Sequence, residues 1–372
     1  MKVFTFGNIT KHYWYPVLLS ISCYCQFLSQ EIYLSVKDIK QINSRKFFMN
    51  SIDIFSLITC GILALLSNKS SKSTFERKQR FNFKIILHFL GIITLTCTQI
   101  IIANILVVYE YSMIEISKTI QIIICMVLCF FFLKINNYKH HYVAIGVIFI
   151  ISVIMCGIKL SYNTPIFSLD KLKLFGQSIL FYFFYTSMEV YEKFIMKYYF
   201  VSPYTLLFFK GICELIIMIG ISIVLYCVED YRKKFLDYSS MVKSPFTIIL
   251  LFFCCFVLNI FRIQTINIYT PVYRFVADIA AVFFIFITSL IVPNTMILPI
   301  GFRILFVLFY IFIFIGIFVF QELIIINVLG MNENTLKQIN LRGVTENSKV
   351  QKMLEEEVLE LEDSGIEQKE YL

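Results

Sequence analysis

Residues 85–133 read IILHFLGIITLTCTQIIIANILVVYEYSMIEISKTIQIIICMVLCFFFL. Two apolar runs, 85–109 and 112–133, are separated by little more than Glu110 and Tyr111. At about 1.5 Å of rise per residue, each run is long enough to cross a hydrocarbon core about 30 Å thick as a helix. So short a connector forces an antiparallel hairpin. The second run carries Glu115, Lys118 and Gln121 among Ile, Cys, Met, Leu and Phe. A charge at the centre of a bilayer costs about 2.5–3.5 kcal/mol on insertion scales, so such groups face a cavity or a partner. Lys118, about two turns into its run, has a second option in snorkelling toward the headgroups. Ser112-x-x-Glu115 also fits a capping box, in which Glu115 satisfies the backbone of the first turn.

Composition extends this reading to the whole chain. Charged residues make up 16% of the 372, hydrophobic ones 58%, and mean hydropathy is +0.77. Soluble domains carry about 25% charge. Repeated apolar runs therefore predict an all-α, multi-pass membrane protein with no large soluble domain. Ten spans are expected, at 15–34, 47–66, 85–109, 112–133, 142–160, 174–198, 203–226, 246–267, 271–291 and 300–328. The first is too long for a signal-peptide core and reads as a retained anchor.

The net charge of +8 has two parts. The tail from Met331 holds five basic and ten acidic residues, or −5, leaving +13 for the rest. The connector 68–84 alone carries +5. By the positive-inside rule that connector is cytosolic, and with ten spans both termini share its side. The loop 37–46 is also basic and opposes this assignment. The sequons at Asn8 and Asn68 then lie in the cytosol and stay unglycosylated. Within the tail, residues 348–362 have helical spacing of apolar positions amid Glu, fitting a short amphipathic helix.

Five spans, a central loop near 161–171 and five more suggest an internal duplication, divided as 1–160, 161–330 and an acidic tail 331–372. Tyr111-Ser112 opens the fourth span and Tyr269-Thr270 the ninth, each followed by charge within two turns. Several membrane-embedded polar residues stand out. Arg262, with Asn259 one turn earlier, is the best anion-binding candidate of the second half, and Arg274 and Lys118 add basic groups from both halves. Lys210 with Glu214, and Arg274 with Asp278, are spaced i,i+4 and could simply neutralise each other. Glu189 has no partner at its own depth in the sequence, which marks it for proton or cation coupling together with Glu214 and Asp278.

The eleven cysteines sit almost wholly inside apolar runs, the behaviour of a small hydrophobe. The four histidines form no HExxH or Cys–His ligand pattern, so no metal and no cofactor are expected. His140-His141 reads as a solvated turn. No phosphate-binding loop or nucleophile elbow is present, which argues against an ATP-driven pump or a membrane hydrolase. The duplicated five-plus-five build is a common one for transporters, and the alternatives to that reading are a membrane-embedded transferase, which would need a catalytic His or acidic pair, and a multi-pass receptor. Nucleic acid is not an expected partner; a small molecule and membrane lipid are, and a homodimer is compatible with the sequence.

The segment from Ala103-Asn104 through Ser112 to Lys118 resembles the junction of the third and fourth helices in the drug/metabolite transporter superfamily. Phe131-Phe132-Leu133-Lys134 is similar to that family's cytosolic end of helix four. Asn259 and Tyr269-Thr270-Pro271-Val272 resemble the matching places in its second half. The resemblance implies a five-plus-five inverted repeat around a central cavity and alternating access, nearest the nucleotide-sugar branch of Golgi or endoplasmic reticulum. Asn104, Lys118, Gln121, Asn259, Arg262 and Arg274 are the residues expected to bind substrate, and the convergence of Lys118, Arg262 and Arg274 from both halves suits an anionic metabolite. The chain departs from that family in its 13 glycines, none of them in a G-x-x-x-G pair within a span.

Overall fold

The computed structural model describes residues 4–6, 14–35, 42–67, 83–105, 114–135, 137–163, 169–227, 245–291 and 300–326. Among these, the chain forms α1 (Trp14–Ser35), α2 (Ile42–Ser67), α3 (Phe83–Ile105), α4 (Ile114–Leu133) and α5 (Lys139–Asn163). The second half supplies α6 (Leu169–Tyr199), α7 (Pro203–Cys227), α8 (Pro245–Ile268), α9 (Pro271–Ile291) and α10 (Ile300–Phe320). Two short strands, β1 (Phe4–Phe6) and β2 (Ile324–Ile326), pair antiparallel with Phe6 opposite Ile324. That pairing brings the two ends of the described chain together. The expected capping box, both sequons and the amphipathic tail segment fall outside the described residues or their described side chains.

Local chemistry explains the helix ends. Proline opens α7, α8 and α9 at a first-turn position where its missing N–H is no loss. Helix α10 ends in a Schellman motif. The Glu322 N–H donates to the Val319 carbonyl (3.1 Å) and the Leu323 N–H to the Phe318 carbonyl (2.9 Å), with Glu322 itself at φ 57°. Two lysines of α6 cap neighbouring helices: Lys197 Nζ donates to the Leu133 carbonyl (2.8 Å) and Lys193 Nζ to the Asn267 carbonyl (2.6 Å). Ammonium groups at C-terminal carbonyls also favour the helix dipole.

Among the described residues, six helices are long and apolar enough to cross a membrane: α4, α5, α7, α8, α9 and α10. Shorter apolar stretches lie in α1 (Pro16–Gln26), α2 (Phe48–Leu63) and α3 (Leu87–Thr98). The outer surface is as apolar as a lipid-facing one should be, with Phe131, Phe246, Ile216, Val224, Ile150 and Ile304 all exposed. Exposed apolar area on this scale marks an interaction with something other than water. This is the architecture of a multi-pass helical membrane protein.

Among the described residues, two large apolar clusters dominate the interior, beside smaller ones around Ile54 with Met218 and Ile52 with Leu251. One joins α4, α5, α9 and α10 through Ile122, Met126, Ile148, Phe275, Phe306 and Tyr310. The other joins α2, α3, α6, α7 and α8 through Leu57, Ile92, Ile195, Leu207 and Ile263. The helices pack as α2 on α7, α1 on α8, α3 on α6, α4 on α6, α1 on α9, α5 on α10 and α4 on α9. The α2–α7 crossing is closest at two glycines. A Cβ at Gly61 would sit 2.5 Å from Phe208 Cβ, and one at Gly211 would sit 2.8 Å from Ile58 Cγ1. The sequence shows no G-x-x-x-G, but one glycine from each helix achieves the same approach.

Candidate functional site

Between these clusters runs a chain of buried ions. Helix α8 buries the stripe Leu251, Cys254, Cys255, Asn259, Arg262 and Ile266, so its two polar members point inward with the apolar ones. Helix α6 aligns Glu189 and Glu192 one turn apart, α7 brings Lys210 and Glu214, and α9 brings Arg274 and Asp278. Lys118 enters from α4.

These groups alternate in sign. Lys118 Nζ lies 3.1 Å from Asp278 Oδ2, which also receives Arg274 Nη1 at 2.8 Å. Arg274 Nε lies 3.2 Å from Glu189 Oε2, and Glu189 Oε1 faces Arg262 Nη1 at 3.3 Å. Arg262 Nη1 reaches Glu192 Oε2 at 3.8 Å, and Glu192 Oε1 accepts from Lys210 Nζ at 2.7 Å. Lys210 ends the chain 4.0 Å from Glu214. Side contacts hold the geometry: Arg274 Nη2 donates to Tyr185 Oη (2.6 Å), and the thiol of Cys23 donates to Asp278 Oδ1 (3.3 Å). From α2, Asp53 Oδ1 accepts from Asn259 Nδ2 at 2.8 Å, which also meets Ser56 Oγ at 2.9 Å.

A cavity of about 470 Å³ opens onto this chain. It lies within the roughly 300–1,000 Å³ typical of small-molecule sites. Its walls include Cys23, Asp53, Lys118, Lys210, Glu214, Asn259, Arg262, Arg274 and Asp278. Among the described residues, four cations (Lys118, Lys210, Arg262, Arg274) therefore face or adjoin five carboxylates (Asp53, Glu189, Glu192, Glu214, Asp278). Ion pairing offsets part of the cost of burial, but not all donors are used. Arg262 Nε and Nη2 are buried with no hydrogen-bond partner among the described residues. Of the four cations at the cavity Lys118 is the most accessible, its side chain 19% exposed against 6% for either arginine and 4% for Lys210.

The expected site residues are thus only partly gathered. Lys118, Asn259, Arg262, Arg274, Glu214 and Asp278 line the cavity. Gln121 does not: it is fully buried beside the α4 core, its amide atoms without a partner among the described residues. Asn104 lies in the last turn of α3, and its side chain is outside the description. Glu189 corrects the expectation of isolation. It is 0% exposed and bridges Arg262 and Arg274, which stand 73 and 85 residues further along the chain, a proximity no local spacing reveals. Lys210 and Glu214 do approach, but Lys210's nearer partner is Glu192.

His140 and His141 are a second correction. The expected solvated turn is instead the buried first turn of α5, 4% and 6% exposed, because the end of α10 covers it. Cys125 and Cys129 share a buried face as spaced, their Sγ atoms 3.8 Å apart. Asp53 and Tyr185 escaped the sequence reading. A lone Asp amid the apolar run 47–66 was the available signal for the first; the second is one of 22 tyrosines with nothing local to mark it.

Searches of protein-family models and of curated proteins match nothing to this chain.

Proposed function

We propose that the chain is a secondary transporter that carries a small organic anion, a nucleotide sugar or related phosphorylated metabolite, across an endomembrane by alternating access. The observation that carries this reading is that Arg262, a residue of the cavity wall, keeps two donors without a hydrogen-bond partner among the described residues, near a partly accessible Lys118 ammonium. A phosphate or carboxylate satisfies a guanidinium fork with two parallel charge-assisted bonds, and the remaining charge suits a lysine. The donors come from different halves of the chain, as a site that changes access between two halves requires.

The packing supports the five-plus-five repeat. Adding five to each helix number within a half exchanges α1·α8 with α6·α3, α4·α6 with α9·α1, and α3·α7 with α8·α2. The same operation returns α2·α7, α4·α9 and α5·α10 to themselves. Gly61 and Gly211, one from each member of α2·α7, fit that relation. On this reading all ten helices span, the ionic α6 included, because its charges are paired inside the bundle.

Ionic balance supplies a coupling scheme. With five carboxylates to four cations, an arriving anion adds to an existing negative excess. A proton or cation taken up at Glu214 or Asp53 offsets it, while the substrate displaces Asp278 from Lys118. Glu189 then serves as the fixed bridge between the two arginines. The basic connector 68–84 supports an orientation with both termini cytosolic, in a membrane taken on this reading to be that of the Golgi or endoplasmic reticulum. Uptake of a panel of labelled nucleotide sugars, sugar phosphates and uncharged sugars into proteoliposomes tests this reading. Saturable uptake confined to anions is expected; uptake of none of them contradicts it.

A further inference from the structure

Outside the cavity, the described residues hold one three-residue cluster of metal-ligating side chains: His140 and His141 at the start of α5, and Glu322 just past the end of α10. Each offers one ligand atom, and the three atoms lie within 4.8 Å of one another. The two segments are brought together by the α5–α10 packing, tight enough that a Cβ at Gly316 would sit 2.8 Å from Ile148 Cγ1. Both imidazoles are more than nine-tenths buried. His140 Nε2 lies 3.2 Å from Glu322 Oε1, a distance suited to a hydrogen bond. Yet the alignment is wrong for one, and neither ring nitrogen of His140 makes a hydrogen bond among the described residues. Buried polar groups left in that condition call for an explanation.

A shared ion supplies one. We infer that His140, His141 and Glu322 form a binding site for a borderline-soft divalent metal of the zinc class, which clamps the start of α5 to the end of α10. Two imidazole nitrogens and one carboxylate oxygen suit zinc and its first-row neighbours, whereas magnesium and calcium favour all-oxygen sets. Three protein ligands leave one coordination position open to water. Glu322 is held at this point by the Schellman motif, in the left-handed conformation at φ 57°, where glycine is the usual residue. His141 Nδ1 accepts the Tyr138 N–H at 3.3 Å. A metal on that nitrogen replaces the bond directly; a metal on Nε2 moves the ring proton to Nδ1 and breaks it as well. Capture therefore trades the His141–Tyr138 hydrogen bond and the direct His140–Glu322 contact for coordination by a shared ion. Because β2 begins two residues beyond Glu322, the clamp also pins the β1–β2 pair.

The full chain, purified in detergent and stripped with chelator, tests the site by titration with Co²⁺ and then Zn²⁺. The expected result is one Co²⁺ per chain with visible d–d absorption of a nitrogen–oxygen site, no sulfur-to-metal charge transfer, and displacement by Zn²⁺ but not by Mg²⁺. His140→Ala and the near-isosteric Glu322→Gln should each weaken binding by more than about tenfold and abolish the rise in melting temperature that Zn²⁺ gives the parent. In chelator the Glu322→Gln variant should melt within a few degrees of the parent, which shows that its fold survives. A parent that binds no Co²⁺ overturns the inference. So does equal binding by the His140→Ala/Glu322→Gln double variant, or a thiolate spectrum, since either places the metal elsewhere. Neither outcome bears on transport.

Discussion

Replacing Glu189 with glutamine keeps the shape of the ionic chain and removes its central charge. In the structure this carboxylate is 0% exposed and stands 3.3 Å from Arg262 and 3.2 Å from Arg274. Breaking a buried ion pair by removing one partner costs about 3–5 kcal/mol, because the other charge stays buried. Each arginine keeps a second carboxylate, Glu192 at 3.8 Å and Asp278 at 2.8 Å. The loss should therefore fall near the lower end, about 3 kcal/mol. Reversible unfolding in mixed micelles, titrated with a denaturing detergent, measures it. The double variant Glu189→Gln/Arg262→Gln removes the pair together and should lose clearly less than the sum of the two single losses. A Glu189→Gln variant within about 0.5 kcal/mol of the parent, the range of ordinary surface substitutions, would refute the ionic chain as described.

Further outcomes follow from particular contacts. Gly61→Ala forces a methyl group into the Phe208 backbone and should destabilise by about 1–3 kcal/mol, while Gly146→Ala, which meets nothing within 4 Å, should not; the same unfolding assay compares them. Arg262→Ala should weaken substrate affinity by about 1.5–3 kcal/mol, ten- to hundredfold, Arg262→Lys should still weaken it because the planar fork is lost, and adding Lys118→Ala should give less than the sum in uptake per folded transporter. Neither Asn8 nor Asn68 should carry glycan, and a mass shift removed by glycosidase and abolished by Asn68→Gln would reverse the orientation. Truncation at Met331 should leave uptake intact in correctly localised protein.

Helix positions were largely legible because proline and charge punctuate apolar runs: the run expected at 203–226 is α7 (Pro203–Cys227), and that at 271–291 is α9 (Pro271–Ile291). The polar residues within those runs were legible too, since each is conspicuous against Ile and Phe. Their partners were not. The i,i+4 spacing of Arg274 and Asp278 announced a contact the structure makes at 2.8 Å, yet nothing local tells that Lys118 shares the same carboxylate across 160 residues. Lys210 misled in the opposite sense, because its i,i+4 neighbour Glu214 is the weaker of two partners. His140-His141 failed for the same reason: a polar dipeptide after a basic connector reads as solvated until α10 is seen to end on top of it. Burial and pairing of this kind are set by tertiary packing, which local pattern does not contain.

The central claim is that a substrate anion competes with Asp278 for Lys118, and one pair of measurements tests it: apparent substrate affinity, per folded transporter, in Lys118→Ala and in Asp278→Asn. The two changes break the same 3.1 Å contact. Competition predicts opposite signs, with affinity lowered about tenfold or more when the ammonium is lost and raised when the rival carboxylate is neutralised. Affinity unchanged in both, or lowered alike in both, would make Lys118–Asp278 a structural pair and contradict the anion cavity.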